Sequence, residues 1–274
     1  MADRVDRLLK LLDLEPLGDD VFSAPTPSDG PGRLFGGQVA SQTLRAATLT
    51  VEDGRPPHSL HAYFIRPGVP GPPLRLEVER TRDGRSFTTR HVTAIQNGER
   101  IFNLTASFHA PEEGDDWQLP APTGVPGPDD VHGESPLTRF DSMSPFVMRP
   151  VAATAEGDWF QFHPMWIRTV ATLPDDPVLH ACVLAFMSDM GVVGSARAPT
   201  STLPKMFMGA SLDHAVWFHR PVRADEWLLF SVEPTSNSGA RGLARGTFHT
   251  ADGALVASIA QEALLRSTGR PPLP

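Results

Sequence analysis

His61-Ala62-Tyr63-Phe64-Ile65-Arg66-Pro67 returns later in the chain as His214-Ala215-Val216-Trp217-Phe218-His219-Arg220-Pro221. Arg66 and Arg220 stand 154 positions apart, and Gly84 and Gly98 return as Gly239 and Gly253 at a spacing of 155. One inserted residue reconciles the two spacings. The identity is modest but the order is kept, and ordered self-similarity marks an internal duplication.

Outward from these anchors, both halves follow one plan. In the first, Gly36-Gly37 opens a helical run whose Val39, Leu44, Ala46 and Ala47 share much of one face. Strands are expected at about 58–66, 73–81, 86–96 and 100–109, with Asn97-Gly98 as a two-residue hairpin signal between the last two. In the second half, Pro174-Asp175-Asp176-Pro177 starts a helix that should run to about Met190. Strands are expected near 211–219, 226–235, 241–250 and 254–265, with Ala251-Asp252-Gly253 as the matching turn. A helix followed by antiparallel strands, done twice, predicts an α+β fold of two helix-on-sheet units. Tight turns between consecutive strands exclude a parallel Rossmann-type sheet, which needs helical crossovers. From Pro111 through Pro128 to Gly133 the chain is dense in turn formers and has no periodicity. The expected division is a unit at 1–115, a linker at 116–144 and a second unit at 145–274.

Composition limits the function. In 274 residues, 40% apolar and 20% charged, a core can be buried, which excludes a disordered tail or a disulfide-stapled miniprotein. A net charge of −8 with no block of Lys or Arg argues against nucleic-acid binding. The single cysteine, Cys182, forms no internal disulfide and no cysteine metal cluster, which fits a reducing compartment. No apolar run approaches the ~18–20 residues that span a bilayer. At the start of the chain Val5, Leu8, Leu9 and Leu12 form a helical stripe among charges, unlike a signal peptide. A cytoplasmic protein without a membrane span is expected.

The familiar chemical signatures are missing. There is no G-x-S-x-G elbow and no Walker motif, and glycines 239, 242 and 246 have the wrong spacing for a dinucleotide loop. His58 and His61 fall on opposite faces of a strand, and no H-E-x-x-H occurs, so neither a metal nor a cofactor is expected. Three polar residues stand out instead. Asp189 follows the nearly all-apolar Ala181-Cys182-Val183-Leu184-Ala185-Phe186-Met187, where a carboxylate is costly unless hydrogen-bonded or useful. Ser211 precedes the repeated strand, and Gln261 interrupts the apolar Leu255-Val256-Ala257-Ser258-Ile259-Ala260. Each has a plain alternative: a solvated helix-end aspartate, a strand hydroxyl, and a surface glutamine on an alternating strand.

Together with Phe35-Gly36-Gly37-Gln38-Val39, His58-Ser59-Leu60-His61, Arg66-Pro67-Gly68, Arg82-Asp83-Gly84-Arg85-Ser86-Phe87, Leu212-Asp213-His214, Glu226-Trp227-Leu228-Leu229 and Gln261-Glu262, these residues carry a resemblance. The chain resembles the acyl-CoA thioesterase II family, the double-hotdog thioesterases, over most of 1–110 and 160–266. The resemblance implies a hotdog fold in each half, a long helix wrapped by an antiparallel sheet. It also implies a site in which Asp189, Ser211 and Gln261 position a water. Family members often carry threonine where this chain has Ser211, and the hydroxyl is kept. An acyl-CoA substrate and a homodimer or homotetramer are implied as well.

That chemistry suits the residue types. A thioester lacks the resonance protection of an ester, so a base-assisted, well-directed water can suffice without a covalent nucleophile. A backbone N–H near Gly36-Gly37 is a candidate to stabilise the oxyanion. Arg80, Arg82, Arg85 and Arg90, or Arg241 and Arg245, are candidates to meet CoA phosphates. Two alternatives stay open. A hotdog hydratase would use a histidine as acid and base, and the nearest stretch here is Asp175-Asp176-Pro177-Val178-Leu179-His180, without the expected asparagine. A catalytically silent acyl-binding module would lack one of the three site residues.

Overall fold

The N-terminal stripe forms α1 (Ala2–Leu12), which buries Val5, Leu8 and Leu12. Two short strands follow, β1 (Glu15–Gly18) and β2 (Val21–Ala24), ahead of the longer helix α2 (Gly36–Thr48). Then come β3 (Pro57–Phe64), β4 (Leu74–Asp83), β5 (Phe87–Gln96) and β6 (Glu99–His109). The later part of the chain repeats the sequence of elements. It contains β7 (Phe146–Pro150), β8 (Met165–Thr169), α3 (Pro177–Met187), α4 (Val192–Ser195) and β9 (Met208–Ser211). It ends with β10 (Asp213–Phe218), β11 (Leu228–Ser238), β12 (Arg241–Thr250) and β13 (Leu255–Arg266). The computed structural model describes residues 2–28, 32–131, 144–151, 163–201 and 207–267. Part of the expected linker, with Gly133, lies outside the described residues.

The strands join in one sheet of order β1-β2-β4-β5-β6-β3-β10-β13-β12-β11-β8-β7, with β9 beside β13. Every pairing within it is antiparallel. The order is symmetric about the β3–β10 seam, so β6, β5, β4 and β2 on one side answer β13, β12, β11 and β8 on the other. At the seam Leu60 faces Val216, His61 faces Ala215 and Ala62 faces His214. A spacing of 154 makes Leu60 the counterpart of His214, and the seam is then twofold-symmetric about the His61–Ala215 pair. The apparent match of His61 to His214 is therefore one residue out of register. His61 is exposed on the outer face, whereas His214 is buried on the inner one.

The Asn97-Gly98 turn behaves as expected, with φ of 52° and 80°, the paired left-handed residues that a type I′ hairpin requires. Two elements differ from expectation. The strand expected at 211–219 divides at Leu212, whose N–H donates to Glu262 and whose carbonyl accepts from Phe64. The helix expected to reach Met190 stops at Met187, and Gly191 in the left-handed region closes the turn after it. Its start is as read: Pro177 occupies the first turn, and the Asp176 carboxylate accepts from the Val178 N–H. From Leu179 to Met187 every residue of α3 is buried, as its unbroken apolar composition requires. The described part of the expected linker is held down. Gln118 bridges Gly253 and Leu255, and the Trp166 indole N–H donates to Pro126.

Candidate active site

Where α3 ends, Ser188 caps it by sending its N–H back to Leu184, and the next residue, Asp189, is turned inward and buried. Its carboxylate meets the N-terminus of α2. The Gly37 N–H donates to Asp189 Oδ2 at 2.8 Å. Two glycines make this approach possible. A Cβ on Gly36 would lie 2.6 Å from Asp189 Oδ2, and one on Gly37 would lie 2.3 Å from the Phe186 carbonyl oxygen. Four residues on, the Ser41 hydroxyl donates to Cys182 O at 2.7 Å. Going up α2 thus goes down α3, so the two helices cross antiparallel at close range. Their crossing delivers a backbone donor from one half to a carboxylate of the other.

The other carboxylate oxygen faces the sheet. Gln261 sits on the inner face of β13, and its Nε2 donates to Asp189 Oδ1 at 3.1 Å and to Ser211 Oγ at 2.8 Å. Ser211, the last residue of β9, points its hydroxyl at Asp189 Oδ1 at 3.4 Å. Gln261 and Asp189 are buried, while Ser211 is only partly so. Burial pushes the Asp189 pKa up to about 6, against hydrogen bonds from Gln261, Gly37 and Ser211 that lower it. The carboxylate is therefore ionised at neutral pH but far more basic than an exposed aspartate, which suits a proton acceptor. The positive end of the α2 dipole favours the same ionised form.

The three residues singled out from the sequence come together in one cluster. Gln261 is fully buried, which removes its reading as a surface glutamine. Its parity with Ile259 and Ala263, both buried, carries the signal. Two participants were not foreseen. Gly37 binds the carboxylate, so its N–H is not the free oxyanion donor expected near Gly36-Gly37. Ser188 Oγ lies 2.7 Å from His214 Nε2, directly behind Asp189.

Other expectations are corrected. Arg90 is no phosphate ligand. It is buried on the inner face of β5 and donates to Thr50 Oγ1, Thr50 O, Arg82 O, Thr89 O and Asp83. Arg80 is paired with Asp20, and Arg241 with Glu262. In the stretch compared with a hydratase motif, Asp176 caps α3 and Asp175 pairs with Arg223. His180 there is buried and accepts the Ala224 N–H, a structural arrangement. Cys182 is buried and its thiol pKa is pushed up to about 12 by that burial, which argues against a thiolate nucleophile. An open cavity of about 740 Å³ lies between Arg168, Arg220, Arg223 and Trp227 and contains none of the cluster. Its arginines are engaged, Arg220 with Asp116, Arg223 with Asp175 and Asp225, and Arg168 over the Trp227 ring.

Among its described residues, the first half holds no such cluster. Thr50 stands two residues past α2, where Asp189 stands past α3. Across β5 and β6, Arg90 faces Ala106, while across β12 and β13, Ala244 faces Gln261. Ala106 thus holds the place that the glutamine has in the other half, and a hydrogen-bond-saturated arginine stands across from it.

Comparison with known proteins gives concordant matches. Residues 138–264 match the family model described as acyl-CoA thioesterase, and residues 24–109 match the acyl-CoA thioesterase N-terminal domain. The chain is 35% identical to acyl-coenzyme A thioesterase 8 of Homo sapiens, over 93% of this chain and 88% of that one. It is 34% identical to acyl-CoA thioesterase 2 of Haemophilus influenzae, over 97% and 99% of the two chains. Among solved structures, an acyl-CoA thioesterase II from Mycobacterium marinum superposes with a TM-score of 0.81 at 40% identity, covering 95% and 98% of the two chains. A hot dog fold protein from Alicyclobacillus acidocaldarius, at 21% identity and a TM-score of 0.73 over 96% and 98%, shares the fold.

Proposed function

This chain belongs to the acyl-CoA thioesterase II family and hydrolyses acyl-CoA thioesters, and on that premise we propose that Asp189 activates the attacking water directly. Asp189 takes a proton from water as the oxygen attacks the thioester carbonyl, and Ser211 and Gln261 direct that water by hydrogen bonds. The departing sulfur takes that proton back from Asp189, so CoA leaves as the thiol, the carboxylate is regenerated and the fatty acid is released without a covalent acyl-enzyme. The observation that supports this reading is the Asp189 carboxylate itself: buried, with its pKa raised to about 6, and held from two sides by Gly37 and Gln261.

One site per chain follows from the same reading. The unit at 1–115 supplies the Gly37 donor and the seam strand β3 but no base, and the unit at 145–274 carries Asp189, Ser211 and Gln261. A cytoplasmic location and a homodimer or homotetramer complete the proposal. Among the described residues, no helix is long and apolar enough to cross a membrane.

The test is hydrolysis of palmitoyl-CoA, followed by thiol release, with crotonyl-CoA hydration measured in parallel. Wild-type protein should release CoA and leave crotonyl-CoA unhydrated, and Asp189→Asn should fold but lose about 10²–10⁴ in kcat. Hydrolysis by Asp189→Asn at the wild-type rate would refute the assignment of the base.

A further inference from the structure

His214 is buried on the inner face of β10, opposite Gln261 of β13. The neighbouring pairs Ala215–Ala260 and Val216–Ile259 set that register. Cross-strand neighbours have Cβ atoms about 4.5–5.5 Å apart. Two buried polar atoms here lack a hydrogen bond of good geometry, His214 Nδ1 and Gln261 Oε1, and they belong to these facing residues. The Gln261 side chain is also the group that favours protonation of His214 against its burial. On its other side, His214 Nε2 lies 2.7 Å from Ser188 Oγ, which is also within 2.9 Å of Ala185 O.

Proton counting separates the arrangements. The Gln261 amide nitrogen must face Asp189, because a carbonyl oxygen there would oppose an ionised carboxylate. Its Oε1 then faces away and needs a donor. A proton on His214 Nε2 would leave two lone pairs, those of Nδ1 and Oε1, confronting each other in the core. A proton on Nδ1 satisfies both atoms, and the Ser188 hydroxyl turns from Ala185 O to donate to the bare Nε2. One bond to a backbone carbonyl is lost and two buried orphans are removed.

We propose that His214 is a positioning residue, which as its Nδ1–H tautomer donates to Gln261 Oε1 and so turns the Gln261 amide nitrogen toward Asp189 and Ser211. The chain of donors runs from Ser188 through His214 and Gln261 to Asp189, returning to the residue beside its start. Burial holds the His214 pKa down to about 4, so the ring stays neutral at working pH and acts through orientation alone. The inference rests on the reading of Asp189 as the base.

Two measurements test it. In protein labelled with ¹⁵N-histidine, the ring nitrogen shifts of His214, assigned by loss of its signals in His214→Asn, should show the proton on Nδ1. A proton on Nε2 or on both nitrogens would overturn the inference without reference to activity. The second is a pair of substitutions. Asn places its amide nitrogen near the position of Nδ1, whereas Gln places it near Nε2. With KM within about threefold of wild type in both, kcat should fall about 10- to 100-fold in His214→Gln and no more than about fivefold in His214→Asn. Equal losses in the two variants would show a merely structural residue. Asp189→Asn, assayed alongside, separates the two claims. If it hydrolyses like wild type, the base assignment fails and the role of His214 with it. If it is inactive while the two His214 variants fall alike, only the inference about His214 fails.

Discussion

Replacing Gly37 by alanine should move the acid limb of the pH–rate profile, and the structure gives the size of the move. The added Cβ would lie 2.3 Å from the Phe186 carbonyl oxygen and 2.5 Å from Phe35 Cε1, so α2 and α3 must separate. Overpacking of this kind costs about 1–3 kcal/mol, which a two-half core of this size should survive folded. The separation takes the Gly37 N–H away from Asp189 Oδ2, which it now meets at 2.8 Å. A hydrogen bond to a charged group contributes about 1.5–3 kcal/mol, and one pKa unit corresponds to about 1.4 kcal/mol. Losing the donor should therefore raise the Asp189 pKa by about one to two units, from about 6 to between about 7 and 8. The base works ionised, so the loss appears at low pH and is relieved at high pH. At pH 7 the ionised fraction falls from roughly nine-tenths to between a half and a tenth, and kcat should follow, recovering toward wild type near pH 9. Stopped-flow or continuous thiol-release assays from pH 5 to 9.5 measure it. An acid limb still centred near pH 6, with activity lowered uniformly, would refute the claim that this amide stabilises the carboxylate.

Asp189→Asn should also change the pH dependence of stability. The folded protein holds a proton that the unfolded chain releases, so the carboxylate destabilises the fold as pH rises from about 4 through about 6, by about 3 kcal/mol in total. Urea unfolding at pH 4.5, where the unfolded carboxylate is already mostly ionised, and at pH 8 should show the variant gaining on wild type by about 2 kcal/mol of that total, and parallel curves would count against a buried base. Ser211→Ala and Gln261→Ala should each lower kcat more than they raise KM, and a change in KM alone would make that residue a substrate contact. Rapid mixing should show no burst of CoA and mass spectrometry no acyl adduct, since water attacks directly; either one would place a nucleophile in the site. Arg90→Met should cost about 2–4 kcal/mol by stranding the Thr50, Arg82 and Thr89 carbonyls, with kcat and KM near wild type. A large loss of kcat in a fully folded Arg90→Met protein would show that the first half takes part in the chemistry.

Much of the fold could be read from residues close together in the chain. Asn97-Gly98, the proline and aspartates before α3, and the long alternating strands are local signals with local causes. What escaped was short or distant. The strands Val21–Ala24 and Phe146–Pro150 are four and five residues long, too brief for periodicity to separate them from loop. Within the site, Asp189 was visible because a carboxylate after an apolar helix is anomalous, but its Gly37 partner lies 152 residues away. Strand parity was the neglected signal. Arg90 shares a face with Val92 and Ala94, and His214 shares one with Val216, so both belonged inside. The apparent pairing of His61 with His214 concealed this, because a slip of one residue exchanges the two faces of a strand.

The crossing of α2 over α3 also fixes when in the life of the molecule activity can begin. Synthesis proceeds from the N-terminus, and the segment bearing Gly37 leaves the ribosome about 150 residues before Asp189 does. The first half's share of the arrangement, the Gly37 donor and strand β3, is made early. The carboxylate acquires its donor only when the two helices meet and β10 closes onto β3. With Asp189 as the proposed base, hydrolysis is then a property that the nascent chain gains only after its two halves have met.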